Sequence, residues 1–550
     1  MNKQKRPWHD SWPNGVPKHI EYPIIPLHEI LRNTAKKYPE KIALAYFKKE
    51  MTYAELDLLS NQFASSLAAM NIQKGDRVAI FLPNTPQFVI AYFGILKASA
   101  IVTTINPLHK EREVNYQLTD SAAETIVTLD SLLPTVEKVW HETKLRRAIV
   151  TSTKEFTTAD AVQTNEFEPK PNTCSFQKLL YQTTPEPPKA DINPEEDVAA
   201  LQYTGGTTGI AKGAMLTHMN LLSNALMFAS WIKGAVAKET FLTVLPLSHI
   251  YGMTTSMNVP ITLAAKMVLL PSFEPKSVLE HIHKHRVTIF CGVPTMYSVL
   301  LANPELDKFN LTSVRVCISG ASVLPRSVQE KFMKISGGLL AEGYGLTEAS
   351  PVTHCNPVGG KPEKVKVGSI GLPLPDTDSK IVDSETGKRT LAPGEIGELA
   401  VKGPQIMKGY WKKPEETAAV LHDGWLYTGD IGMMTNEGYF YLTDRKKDLI
   451  KYKGYSVYPS EIEDVLYEHP AVKLCVVVGK PEPIIGEIPK AFIVLKQSAK
   501  ATAEEMKSFV NERVAPYKAI REVEFRQALP LSPVGKVLKR ALQEDKDKSG

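Results

Sequence analysis

The sequence predicts an α/β protein: a large N-terminal domain of two βαβ-type subdomains plus a β-rich subdomain, followed by a small α+β C-terminal domain. Three observations carry this. Short β-branched runs alternate with amphipathic stretches in residues 41–130 and again around 274–318, which is βαβ grammar and implies parallel sheets. Beyond about residue 365, glycines and prolines punctuate short strand-like runs. After the charge-dense stretch 444–453 a new α+β pattern begins. A chain of 550 residues outgrows a single core and divides into at least two domains.

Taken in order, residues 76–81 read as a buried strand, 88–98 as a helix and 101–104 as the next strand. Residues 168–196 hold six prolines among many polar residues and read as a long surface connection. In the second βαβ region, 274–285 is helical, and 287–290 and 314–318 are strands. Gly368, Gly371, Pro373, Pro375, Gly387, Pro393, Gly394 and Gly397 mark the β-rich subdomain. The composition break places the domain boundary at about residue 444, giving domains 1–443 and 444–550. Ser460 is the expected N-cap of a helix over 460–467, and 472–478 reads as a strand. Residues 545–550 read as a frayed tail.

Composition excludes several classes. Hydrophobic content of 43% and charge of 23% suit a globular protein. The 65 basic residues are nearly matched by 60 acidic ones, a net charge of +5, so nothing points to nucleic acid. The cysteines, Cys174, Cys291, Cys317, Cys355 and Cys475, are scattered and odd in number. That disfavours a disulfide scaffold or zinc ribbon and fits a reducing cytosol. The N-terminus lacks an apolar signal core, no apolar run approaches 18 residues, and the chain ends Lys-Ser-Gly. The expectation is a cytoplasmic protein, with peripheral contact to the inner membrane face left open. His281, His283 and His285 end a predicted helix, where cationic side chains suit the dipole. With no His-Glu-x-x-His pattern, zinc is not expected there.

Residues 203–214 read Tyr-Thr-Gly-Gly-Thr-Thr-Gly-Ile-Ala-Lys-Gly-Ala. Glycine lets a backbone approach a ligand closely. The amides and hydroxyls of Thr204, Gly205, Gly206, Thr207, Thr208 and Gly209 can then converge on one anion, with Lys212 as a point charge. Together they form a phosphate cradle. It is not the Gly-x-x-x-x-Gly-Lys-Ser/Thr loop, because Lys212 follows Ala211 and precedes Gly213. A glycine-rich surface turn is the bland alternative, and the unbroken Gly/Thr run 204–209 argues against it.

Six further segments accompany it: Leu245-Pro-Leu-Ser-His249, Gly320-Ala-Ser322, Gly343-Tyr-Gly-Leu-Thr-Glu348, Tyr427-Thr-Gly-Asp430, the run from Asp444 to Gly454, and Pro533-Val-Gly-Lys536. This ordered set resembles the acyl-adenylate-forming superfamily, most nearly the bacterial medium- or long-chain fatty acyl-CoA synthetases, over residues 26–540 or so. The resemblance implies ATP-dependent conversion of a carboxylic acid to acyl-AMP with release of pyrophosphate. Transfer to coenzyme A follows, giving acyl-CoA and AMP, and Mg²⁺ is required.

The resemblance also implies roles. The loop from Thr204 to Lys212 holds the β- and γ-phosphates. Glu348, a hard oxygen ligand suited to Mg²⁺, and Thr204 are the candidate metal ligands, and Thr347 meets the α-phosphate. Tyr344 and Gly345 offer a flat surface for adenine, with the Gly320-Ala321 backbone opposite. Asp430 and Arg445 address the ribose, although an Asx turn after Gly429 is a respectable rival for Asp430. Lys536 bridges the substrate carboxylate and the α-phosphate. Lys453 and Gly454 serve thioester formation after a mobile C-terminal domain rotates about Lys447. His249 borders the acyl site, where a lone histidine is usually structural.

The stretch 247–257 has no acidic residue, and Ile250, Tyr251, Met253, Met257, Val293, Met296 and Tyr297 are apolar or aromatic, so a neutral-tailed acid is favoured. Met253 stands where some long-chain members carry a tryptophan gate. Two rivals stay open: an aryl-CoA ligase of the coumarate type, and a fatty acyl-AMP ligase that delivers to a carrier protein. A homodimer is compatible with the sequence.

Overall fold

A computed structural model describes residues 6–157, 170–189, 191–204, 211–358, 364–453, 455–482, 486–530 and 537–544. The chain forms two compact units, residues 1–378 with 401–426, and residues 379–400 with 427–550.

The first unit is built on two large sheets. In one, the strands Leu339–Gly345, Val316–Ser319, Ile289–Gly292, Thr240–Thr243, Lys266–Leu269 and Ile42–Tyr46 follow one another in parallel. In the other, Val198–Thr204, Ile101–Thr104, Arg77–Phe81, Thr125–Leu129, Arg147–Thr151 and Thr173–Ser175 do the same. Strands such as Thr125–Leu129 and Val316–Ser319 are buried along their whole length, as parallel sheets covered on both faces require. Helices fill the crossovers. Pro86–Lys97 starts on Pro86, is capped by Thr85 and is buried throughout. Pro275–His285, Pro294–Leu301 and Arg326–Ser336 pack an apolar layer against the first sheet, with Val278, Tyr297 and Phe332 in its core.

At one edge of each sheet the added strands are antiparallel. Lys212–Thr217 folds back on Val198–Thr204, and Gly409–Tyr410 adds to it. Val352–Cys355 folds back on Leu339–Gly345. Parallel sheets present their ligand crevice at the carboxyl ends of the strands. The segments after Thr204, Thr243, Ser319 and Gly345 all leave such ends.

The second unit carries most of a small sheet made by Asp378–Val382, Gly397–Lys402, Trp425–Met434 and Phe440–Arg445. It also holds an α+β body in which Ile450–Tyr452, Gly486–Leu495, Val472–Glu482 and Glu522–Phe525 pack against Pro459–Glu468 and Ala503–Asn511.

Two expectations are corrected. The described part of 168–196 is not a bare connection. Thr173–Ser175 joins a sheet in parallel with Arg147–Thr151, and Phe176–Gln182 is a helix capped by the Ser175 hydroxyl. Phe176 is fully buried, with its ring 4.9 Å from Phe63. Pro185, Pro187 and Pro188 lie beyond the helix, so proline density masked a short apolar face. Ser460 is not an N-cap. The helix begins at Pro459, a favoured first residue, and the Ser460 hydroxyl donates to Asp444 Oδ2 at 2.5 Å.

The N-terminal stretch is ordered against the first unit. Trp8 and Trp12 are buried, Trp12 meets Trp231 edge-on at 5.2 Å, and Asp376 accepts from Ile20 N–H and the Tyr22 hydroxyl.

Candidate active site

The candidate phosphate loop lies between two paired strands. Thr204 stands opposite Lys212 and Tyr203 opposite Gly213, so the stems of the loop are held by sheet pairing. The helix Glu111–Ser121 braces both stems. The Tyr116 hydroxyl donates to Ala211 O at 2.7 Å, and the Tyr203 hydroxyl donates to Asp120 Oδ2 at 2.6 Å. Gly205, Gly206, Thr207, Thr208 and Gly209 lie outside the described residues, as do Gly454 and Lys536.

Glu348 sits in the turn Thr347–Ala349, just beyond the strand Leu339–Gly345. The Tyr410 hydroxyl donates to Glu348 Oε1 at 2.7 Å. The Lys212 ammonium lies over the Tyr410 ring, 5.0 Å from its centroid. Lys212 and Glu348, which the sequence separates by more than a hundred positions, are thus joined through one aromatic residue. Burial, then the Glu348 carboxylate beside it, push the Tyr410 phenol far above its ordinary range, so it stays a neutral donor. The strand pair and adjacent bonds hold Tyr410 in place. Met407 N–H donates to Glu348 O at 2.8 Å and Trp411 N–H to Gly213 O at 2.8 Å. Gly409 has φ +146°, and a Cβ there would lie 2.7 Å from Thr417 Cγ2, so only glycine permits this approach.

Tyr344 stands opposite His354 on the antiparallel strand, with ring centroids 6.0 Å apart. Gly345 is sterically required, since a Cβ would fall 2.2 Å from Pro351 O. Ser319 pairs with Glu342, so the segments Gly320-Ala321 and 343–345 leave neighbouring strands. Ala321 has φ +73°, the left-handed region, a strain of the kind that clusters at functional sites. Glu342 is 6% exposed, and burial raises its carboxyl to about 8.

The His249 segment is stapled from below. Asn84 Nδ2 donates to Leu245 O at 2.9 Å, and its Oδ1 accepts from Leu247 N–H at 2.8 Å. Thr104 Oγ1 and Gln202 Nε2 both donate to Ser248 O, at 2.7 and 2.8 Å. His249 Nδ1 accepts from Tyr251 N–H at 3.2 Å, capping Ile250–Met253. A π-helical turn, Thr254–Asn258, follows, a feature frequent at functional sites. Met253 and Met257 are fully buried. Tyr297 gives its hydroxyl to Phe290 O and Ile318 O and belongs to the core beneath the sheet.

In the second unit, Asp430 lies mid-strand in Trp425–Met434, not in an Asx turn, and stands opposite Arg445. Arg445 Nε meets Asp430 Oδ1 at 2.7 Å. Glu398, which the sequence reading missed, accepts from Gly429 N–H at 3.0 Å and pairs with Lys446 Nζ at 2.8 Å. Lys453 is exposed, with φ +49°. Burial raises Asp444 to about 6.

Tyr410, Asn84 and Glu398 carried no sequence signal of their own. Tyr410 occurs in Lys-Gly-Tyr-Trp, which reads as a turn with packing aromatics, and only the fold sets it between Lys212 and Glu348.

Residues 31–411 match the AMP-binding enzyme family, and residues 461–536 match the AMP-binding enzyme C-terminal domain. The chain is 46% identical to a long-chain-fatty-acid–CoA ligase of Bacillus subtilis (strain 168), covering 99% of each. It is 37% identical to one of Salmonella typhimurium, covering 98% of each. The ATP-bound crystal structure of MatB from Rhodopseudomonas palustris superposes with a TM-score of 0.83 at 28% identity, covering 94% of this chain and 99% of that one. A full-length relative of that similarity, together with two family models in chain order, shows that this chain belongs to the AMP-binding enzyme family.

Proposed function

We propose that the chain joins a medium- or long-chain fatty acid to coenzyme A in two steps. The observation that carries this reading is the triad Lys212, Tyr410 and Glu348: a cation and a hard carboxylate held about one aromatic ring, next to a glycine-threonine loop. In the first step a carboxylate oxygen attacks the α-phosphorus of ATP, and the bond to the β-phosphate breaks. Acyl-AMP forms and pyrophosphate leaves. In the second, the coenzyme A sulfur attacks the acyl carbon, AMP leaves with the bonding electrons, and the thiol proton is released.

The oxygen donors fit magnesium. Tyr410 occupies one oxygen of Glu348, and among the described residues the other accepts no hydrogen bond. Few protein oxygens are needed, because Mg²⁺ keeps most of its waters and takes phosphate oxygens from the nucleotide. Glu348 and Thr204 would hold it. When bound, it supplies charge neutralisation for the departing pyrophosphate. Lys212 and the loop orient the β- and γ-phosphates, Thr347 the α-phosphate, and Asp430 and Arg445 the ribose. Tyr344, Gly345, Gly320 and Ala321 sandwich adenine. Lys536 stabilises charge developing between carboxylate and α-phosphate, a role worth about 10²–10³ in rate for one preorganised donor. Lys453 and Gly454 act in the second step, in a C-terminal domain, 444–550, that moves relative to 1–443. His249 borders the acyl tail.

None of the described helices is long and apolar enough to cross a membrane. Work in the cytoplasm, at the inner membrane face where long-chain acids partition, belongs to the same reading, and flotation with lipid vesicles tests it.

The deciding experiment measures pyrophosphate release and thioester formation across fatty and aromatic acids, with and without coenzyme A, for wild type and Lys536→Ala. Fatty acids should give the highest rates and require coenzyme A for turnover. Lys536→Ala should lose acyl-AMP formation but still convert supplied acyl-AMP to thioester. Preference for phenylpropanoid acids, or turnover independent of coenzyme A, would overturn the assignment.

A further inference from the structure

We infer that Tyr410 is the positioning residue of the metal and phosphate site, acting through its hydroxyl as a clamp on Glu348 and through its ring face as a seat for the Lys212 ammonium. The inference rests on the adenylation reading above. A lysine and a glutamate that share an aromatic neighbour would ordinarily pair with each other, and such a pair would deny the carboxylate to a metal and the ammonium to a phosphate. Here no ion pair joins them. Lys212 meets the face of the Tyr410 ring and Glu348 meets its hydroxyl, so the two charges engage different parts of one side chain.

Each half of the contact has a distinct consequence. A carboxylate has about four lone-pair directions. Fixing Oε1 to a hydroxyl at 2.7 Å settles the side-chain rotation and aims the remaining directions without using them. The ring face attracts the ammonium by its quadrupole and offers it no counter-charge, so Lys212 stays available to an anion. Tyr410 is well placed to do this because it is itself immobilised. It is 7% exposed, its N–H donates to Thr417 Oγ1 at 2.9 Å, and its strand is paired with Lys212–Thr217 through Tyr410 opposite Ala214. The neighbouring Met407 N–H holds the carbonyl of Glu348 itself. One short strand therefore sets the relative position of the loop stem and the metal ligand.

The test separates the clamp from the seat. Manganese binding to the complex of the full chain with a non-hydrolysable ATP analogue is followed by electron paramagnetic resonance, and analogue binding without metal by calorimetry. Tyr410→Phe keeps the ring and removes the hydroxyl. It should weaken Mn²⁺ by about tenfold or more, as loss of an outer-shell partner does, while metal-free nucleotide affinity is unchanged. Tyr410→Leu removes the ring as well and should weaken both. In a Glu348→Gln background, Tyr410→Phe should add nothing further, because the two act through one group. Unchanged Mn²⁺ affinity in Tyr410→Phe, or an equal further loss in the Glu348→Gln background, would overturn the inference. Equal Mn²⁺ binding by wild type and Glu348→Gln would instead remove Glu348 as the metal ligand, and with it the reading on which the inference stands.

Discussion

Glu342 shows how one buried side chain writes itself into the pH dependence of the whole protein. Its carboxyl rises to about 8 from an ordinary 4.5 because burial disfavours the charged form, and the Leu324 N–H that it accepts only partly offsets this. The folded state therefore holds a proton that the unfolded chain releases. The corresponding stability is fully present below pH 4.5, falls as the pH rises, and is gone once the pH passes about 8. Glutamine resembles the protonated side chain. Glu342→Gln is expected to flatten the decline of unfolding free energy between pH 4.5 and 8 while leaving stability at low pH little changed. Denaturant unfolding at a series of pH values checks this, and an unaltered slope would show that Glu342 is ionised in the native state. The thiols follow the same physics: burial pushes the buried Cys291 up to about 12 and the half-buried Cys174 up to about 11, which favours the protonated thiol over the nucleophilic thiolate in each.

At the scale of elements, the His249 segment, which continues one sheet, is positioned by residues of the other sheet rather than by its own sequence. Asn84 opens the crossover after Arg77–Phe81, Thr104 ends Ile101–Thr104, and Gln202 lies near the end of Val198–Thr204, all in one sheet. All three hold the 245–248 backbone, which continues Thr240–Thr243 of the other sheet. Gly252 completes the fit, since a Cβ there would lie 2.3 Å from Pro246 O. Asn84→Ala leaves Leu245 O and Leu247 N–H without this partner in a buried site. Each unsatisfied buried group costs about 1–3 kcal/mol. The variant should lose about 2–4 kcal/mol of local stability, read as faster amide hydrogen exchange in 244–249, and should bind fatty acid more weakly. Exchange at the wild-type rate would mean that Thr104 and Gln202 suffice.

At the scale of the molecule, the proposed motion about Lys447 has a local anatomy. Lys447 is exposed in the short turn Lys446–Asp448. Its neighbour Lys446 is paired to Glu398, and Asp444 accepts from the Ser460 hydroxyl. Asp444 and Ser460 lie on opposite sides of residue 447, so a backbone change there must carry or break their bond. Proline would hold φ near −65° there and restrict residue 446 as well. Lys447→Pro is expected to keep a burst of pyrophosphate release and to stall in thioester formation, because Lys536 and Gly454 serve different steps from the same domain. Rapid-quench measurement of both products checks this, and wild-type turnover would exclude alternation about this residue.

Much of the fold and part of the site were legible in the sequence, for reasons of local chemistry. Alternating strands and helices declare parallel sheets because each must bury a periodic face. Thr204, Lys212 and Glu348 stand out because glycine-rich loops and acidic turns have few other uses in such an order. The helix Phe176–Gln182 was hidden because proline density was read ahead of its apolar face. Tyr410, Asn84, Gln202 and Glu398 were invisible because their partners lie far away in the chain, and no spacing records a contact that only sheet order creates. The sequence by itself nominated the groups proposed here to hold a nucleotide. The tertiary structure alone decided that one aromatic residue contacts both Lys212 and Glu348, since that depends on the short strand Gly409–Tyr410 pairing with Lys212–Thr217, far earlier in the chain, at the edge of a sheet.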